Sequence, residues 1–80
     1  MKIPRDISAD ELIKSLKKLG YTVTRQSGSH IRLTTKREGE HHLTIPNHNP
    51  IKIGTLSSIL SDLAEHFKIN KEELVKELFD

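Results

Sequence analysis

The residues of this chain best suited to chemistry surround a short turn, the segment Gly28-Ser29-His30. Histidine exchanges a proton near neutral pH, because its unperturbed pKa is about 6.5, and it can act as a general base. Arg25 and Arg32 lie on either side of the turn, and arginine binds anionic oxygen atoms through several donors at once. Backbone N–H groups around Gly28 can add further donors, since a glycine permits close approach. This combination predicts a site that removes a proton beside a bound anion.

Two strand-like segments flank this turn and set the direction of its side chains. Residues 21–25 and 31–35 are rich in β-branched and aliphatic residues, and the Ser-Gly-Ser sequence between them suits a tight hairpin. Because strand side chains alternate between faces, the aliphatic residues of the second segment predict one buried face. His30 and Arg32 then share the opposite, solvated face.

A third strand is predicted over residues 41–45 and is ended by Pro46. Alternation places His41 on the buried face and His42 on the solvated face with His30. The two adjacent histidines therefore cannot easily share a metal ion. Without cysteine, a His-Glu-x-x-His helix or a carboxylate cluster, we expect no metal centre and no cofactor.

Helical spacing of apolar residues predicts helices on both sides of the strands. The first helix is capped by Ser8 or Asp10 and ends at Gly20, and the second begins near Thr55. A short third helix follows Asn70, where the sequence resembles a capping box. The order of helix, three antiparallel strands, helix and short helix predicts an α+β two-layer fold, with all 80 residues in one domain.

Composition narrows the class of protein further. The chain has no cysteine, no apolar leader and no apolar run of the roughly 18 residues that a membrane span needs, so we expect a cytoplasmic protein away from membranes. Residues 1–61 carry ten Lys or Arg against five Asp or Glu, whereas residues 62–80 carry three against six. A basic body of this kind suits a polyanion such as nucleic acid, although an ordinary solvated surface is equally consistent with the charge alone.

Several short segments, in their order and spacing, resemble a known family. They are Gly20-Tyr21 after the first helix, Arg25, Gly28-Ser29-His30 at the hairpin, Ile45-Pro46-Asn47-His48 after the third strand, and residues 54–59 at the start of the second helix. Together they resemble the HicA family of toxin ribonucleases, from about Ile7 to the end of the second helix. Tyr21 is a mild departure, because a bulkier aromatic residue is expected there.

The resemblance implies a double-stranded-RNA-binding-like α-β-β-β-α fold, here with a short extra C-terminal helix. It implies an endonuclease that acts on messenger RNA rather than DNA and that a HicB-type antitoxin neutralises. It also implies that His30 is the catalytic residue. The residues expected to contact RNA are Arg25, Gly28, Ser29, Arg32, His42 and His48.

RNA chemistry fits these residue types without a metal. The ribose 2′-hydroxyl is a nucleophile carried by the substrate, so cleavage requires a base for its proton and stabilisation of charge on the adjacent phosphate. His30 can supply the base and Arg32 the phosphate ligand, with Arg25 as an alternative ligand. His42, by its strand face, and His48, by its place in the resembling segment, are candidates to protonate the leaving oxygen.

Two other functions remain open at this point. A non-catalytic RNA-binding module would use the same basic surface, although Tyr21, Phe67 and Phe79 are the only Phe, Tyr or Trp residues and stacking platforms are therefore scarce. A protein-interaction domain would present the basic face to an acidic partner.

Overall fold

The fold is described for residues 3–79 of a computed structural model. Two of its helices frame a three-stranded sheet in sequence, and a third helix follows them. The elements are α1 (Ala9–Leu16), continued by a 3₁₀ turn (Lys17–Leu19), then β1 (Thr22–Ser27), β2 (His30–Thr35), β3 (His41–Pro46), α2 (Ile53–Phe67) and α3 (Lys71–Phe79). This order confirms the predicted α+β arrangement with an extra C-terminal helix.

Local signals in the sequence explain most of the element boundaries. Ser8 caps α1, because its hydroxyl accepts a hydrogen bond from the Glu11 N–H while the Glu11 carboxylate accepts one from the Ser8 N–H, each at 3.1 Å. Gly20 ends the helical region with a φ of +83°, a conformation that glycine adopts without strain. Asn70 caps α3 by accepting the Glu73 N–H at 2.8 Å.

The start of α2 differs from the prediction. The helix begins at Ile53, two residues before the predicted start near Thr55. Its N-cap is Lys52, which is extended and makes no side-chain capping bond.

The sheet is antiparallel with the strand order β1-β2-β3. The aliphatic residues of β2 and β3 are buried, and they join residues from all three helices in one hydrophobic core. The residues between them on β2 and β3 are exposed, apart from the half-buried Thr34. We call the exposed side the outer face of the sheet; the helices cover the other side.

The segment between β3 and α2 is held against the residues that precede α1. The Ala9 N–H donates to the His48 carbonyl at 3.2 Å, and the Ile51 N–H donates to the Ile7 carbonyl at 2.8 Å. This end of the sheet therefore brings together the β1–β2 hairpin, the segment after β3 and the start of α1. Within residues 3–79, no helix is long and apolar enough to cross a membrane.

Candidate functional site

His30 is the first residue of β2 and directly follows the hairpin turn. Ser27 pairs with His30, so the turn itself contains only Gly28 and Ser29. The φ of Gly28 is +57°, which a two-residue hairpin requires at its first central position in a type I′ or II′ turn. A Cβ atom added at Gly28 would have no neighbour within 4 Å. The turn is therefore open to a ligand, and the His30 side chain beside it is exposed.

The hairpin is fixed by backbone contacts on its other side. His30 pairs with Pro46 in β3, and the Asn47 N–H donates to the Ser29 carbonyl at 2.6 Å. The backbone of His48 is in turn bonded to α1, while the His48 side chain is exposed. The structure thus places His30 and His48 at the same end of the sheet.

A β-bulge in β1 brings the two arginines of the hairpin together. The register shifts between Val23 and Arg25, so that Arg25 pairs with Arg32 of β2. Simple alternation from Thr22 would have turned Arg25 towards the helices, whereas the bulge turns it to the outer face beside Arg32. Like charges directly opposite each other on a sheet are unfavourable, and no ion pair within residues 3–79 engages either guanidinium. The pair is suited to an anionic ligand.

A chain of hydrogen bonds crosses the outer face at the far end of the sheet. Thr24 Oγ1 lies 3.1 Å from Thr34 Oγ1, which lies 2.8 Å from His42 Nδ1. His42 Nε2 lies 3.0 Å from a carboxylate oxygen of Glu40. Because a carboxylate only accepts, His42 Nε2 carries the hydrogen, and in the neutral ring Nδ1 accepts from the Thr34 hydroxyl. No local pattern in the sequence indicated the contact between His42 and Glu40.

The structure separates His42 from His30. His42 pairs with Thr34, which is four residues from His30 along β2, a distance of about 13 Å at ~3.3 Å per residue. The two imidazoles share a face, as alternation predicted, but they are too far apart to act on one phosphate. His42 is therefore not the acid that acts with His30 at a single phosphate, and His48 is the remaining candidate.

His41 lies on the opposite face, half-buried against Tyr21 and α2, which confirms that the two adjacent histidines point apart. Its Nδ1 lies 2.6 Å from the Tyr21 hydroxyl, and its Nε2 lies 3.3 Å from the Asp62 carboxylate. The His66 ring stacks on it with centroids 4.4 Å apart. Burial, reinforced by the nearby Asp62 charge, raises the pKa of Tyr21 well above its usual range. This cluster depends on packing between β3 and α2, and no local sequence signal indicated it.

The His30 side chain makes no hydrogen bond within the described part of the chain, and no group of three His, Cys, Asp or Glu residues there could hold a metal ion. The His30 imidazole can therefore contact a substrate directly. Arg32 lies two residues along β2, about 7 Å away at the usual strand rise. The arrangement can accept a proton at one point and bind an anion beside it.

Fold and site together define a small α+β protein with a histidine at the end of an open sheet whose outer face carries paired arginines. Residues 9–64 match the family model described as HicA toxin of bacterial toxin–antitoxin. The chain therefore belongs to the HicA toxin family of bacterial toxin–antitoxin systems. The matched range contains every candidate site residue and ends before α3. No curated protein and no solved structure matches the chain.

Proposed function

We propose that this toxin is an endoribonuclease that cleaves messenger RNA without a metal and is neutralised by a HicB-type antitoxin. The observation that carries the proposal is the exposed His30, fixed at the start of β2 within the matched range and on the same face as Arg25 and Arg32. The open turn at Gly28 gives a phosphate backbone access to this histidine.

His30 is the general base of the proposed reaction. Its neutral imidazole accepts the proton of a ribose 2′-hydroxyl, and the 2′-oxygen attacks the adjacent phosphorus. The bond from phosphorus to the 5′-oxygen breaks, which leaves a 2′,3′-cyclic phosphate and a 5′-hydroxyl. The leaving oxygen must gain a proton, and His48 is the candidate donor at the same end of the sheet. Positioned proton transfer typically contributes roughly 10²- to 10⁴-fold to a rate.

The paired arginines stabilise the charge that the phosphate gains in this reaction. A guanidinium presents planar, charged donors that match phosphate oxygens, and such bonds are stronger than neutral ones. Arg32 lies nearer to His30 along the strand, and the bulge adds Arg25 beside it. Stabilisation of developing charge by donors already in position is often the largest contribution to catalysis.

The test is cleavage of RNA by purified protein in EDTA, with the wild type compared with His30→Ala. We expect cleavage of RNA but not of matching DNA, and a loss of about 10²-fold or more in the variant. The control is His66→Gln, which replaces a histidine in the helical layer and should keep its activity. Full cleavage by folded His30→Ala would remove His30 from the mechanism. A wild-type protein that binds RNA but leaves it intact would be a binding module instead.

The antitoxin part of the proposal rests on family membership and on the exposure of the site. A partner that covers His30 and Arg32 would exclude RNA without any change in the toxin fold. Co-expression with the protein encoded beside this chain should give a complex that does not cleave RNA. A complex that cleaves as fast as the free chain would contradict inhibition by covering the site.

A further inference from the structure

We propose that the outer face holds a second RNA subsite, in which the ring of His42 stacks on an unpaired base about 13 Å from His30. This inference rests on the proposed function and specifies its substrate as single-stranded RNA. Bases in a duplex are already stacked on their neighbours, whereas bases of loops and single strands can be placed on a side-chain ring.

The bonds of His42 leave only the face of its ring for a ligand. Nε2 donates to Glu40 and Nδ1 is bonded to Thr34, so neither nitrogen is free to contact RNA. The side chain is nevertheless 43% exposed. A ligand would therefore meet the carbon surface of the ring, which the two bonds hold in one orientation. A ring already fixed in this way loses little conformational entropy when a base stacks on it.

These bonds are not required by the core. His42 and Glu40 are both exposed, and exposed pairs of this kind contribute little to stability. The other large aromatic residues are unavailable for stacking, because Tyr21 is buried and Phe67 and Phe79 pack against the core. His42 is the aromatic side chain on the outer face that no catalytic step uses.

The charges on this face indicate which part of RNA lies where. Arg25 and Arg32 lie between His30 and His42 and suit phosphates. Glu40 would repel a phosphate placed at His42, since its carboxylate touches that ring. A strand of RNA can therefore place one phosphate at His30, run past the arginines and place a base on His42.

The experiment measures binding of a single-stranded 2′-O-methyl oligoribonucleotide, which has no 2′-hydroxyl and cannot be cleaved by the proposed route. We expect His42→Ala to weaken binding roughly 5- to 140-fold, the range that corresponds to the loss of one base stack. His42→Phe keeps a flat ring but loses both hydrogen bonds that orient it, so it should bind more weakly than the wild type and more tightly than His42→Ala. Thr34→Val keeps the shape of that side chain but removes its hydrogen bond to His42 Nδ1, so the ring is held less firmly. This variant should have an intermediate affinity. Because a stacked base adds no phosphate contact, His42→Ala should leave the salt dependence of RNA binding unchanged.

Equal affinity of His42→Ala and the wild type would overturn the subsite. So would an equal loss in His42→Phe, because a polar contact would then replace stacking. A His42→Ala variant that keeps its affinity for RNA but no longer binds the antitoxin would assign this face to the protein partner. If the wild-type chain cleaves ordinary RNA but His42→Ala binds the 2′-O-methyl oligoribonucleotide as tightly as the wild type, only the subsite is wrong. If His42→Ala binds that oligoribonucleotide more weakly but the wild-type chain leaves ordinary RNA intact, only the proposed ribonuclease activity is wrong.

Discussion

Replacement of Arg25 by glutamine tests whether the β-bulge supplies a phosphate ligand. Each phosphate neutralised by a cation on single-stranded nucleic acid contributes about −0.7 to the slope of log K against log salt concentration. Arg25 and Arg32 face each other on the outer face, so together they should contribute a slope of about −1.4. Arg25→Gln and Arg32→Gln should each reduce that slope by about 0.7, and the double variant by about 1.4.

The assay is fluorescence anisotropy of a labelled 2′-O-methyl oligoribonucleotide, titrated at a series of potassium chloride concentrations. Lys17→Gln is the matched control, because it removes the same charge from an exposed residue at the end of α1, in the helical layer. The slope of this control should equal that of the wild type.

Two results would refute this reasoning. An unchanged slope in Arg25→Gln, together with a reduced slope in Arg32→Gln, would mean that the shifted register does not bring Arg25 to the RNA. A reduced slope in Lys17→Gln alone would place RNA across the helical layer instead of the sheet. The proposed path from His30 past the arginines would then be wrong.

Two further predictions concern stability. Folding raises the pKa of Tyr21 above its ordinary 10.0, so the tyrosine of the unfolded chain loses its proton first as pH rises. The free energy of unfolding should therefore fall by about 1.4 kcal/mol per pH unit above pH ~10. Tyr21→Phe should remove this part of the fall. Chemical denaturation of both proteins at alkaline pH measures it, and parallel pH profiles would contradict it. Gly28→Ala should lower the free energy of unfolding by ~1–2 kcal/mol, because alanine is strained in left-handed backbone and its Cβ would have no neighbour within 4 Å. Gly20→Ala should lower it further, because its Cβ would also lie 3.0 Å from the hydroxyl of the buried Thr35. Thermal melts compare the two variants, and equal melting temperatures would show that Thr35 gives way.

Alternation along β2 and β3 was sufficient to predict the outer face, because aliphatic and polar residues alternate over residues 31–34 and 42–45. It placed His30, Arg32 and His42 correctly, and it separated His41 from His42. The capping signals at Ser8 and Asn70 are equally local, since each cap is completed by a residue three positions later.

The bulge in β1 could not be predicted in the same way. All six residues of β1 are exposed, so no buried side chain marks where the alternation shifts. The contacts of His41 with Asp62 and of His42 with Glu40 depend on how α2 packs and how the β2–β3 turn folds back. Such contacts arise from register and packing, which no single segment of the sequence specifies.

The residues that hold the fold and those proposed to act on RNA are almost entirely different sets. The core consists of aliphatic residues and Tyr21 between the sheet and the helices, whereas His30, Arg25 and Arg32 are exposed and lie outside it. In the proposed reaction RNA brings its own nucleophile, so the protein would need no deep pocket and an open sheet face would be sufficient. Substitutions at these exposed positions should therefore abolish activity while the chain stays folded. A fold this small can present the proposed site because the residues of that site lie on one solvated face, which the core does not need.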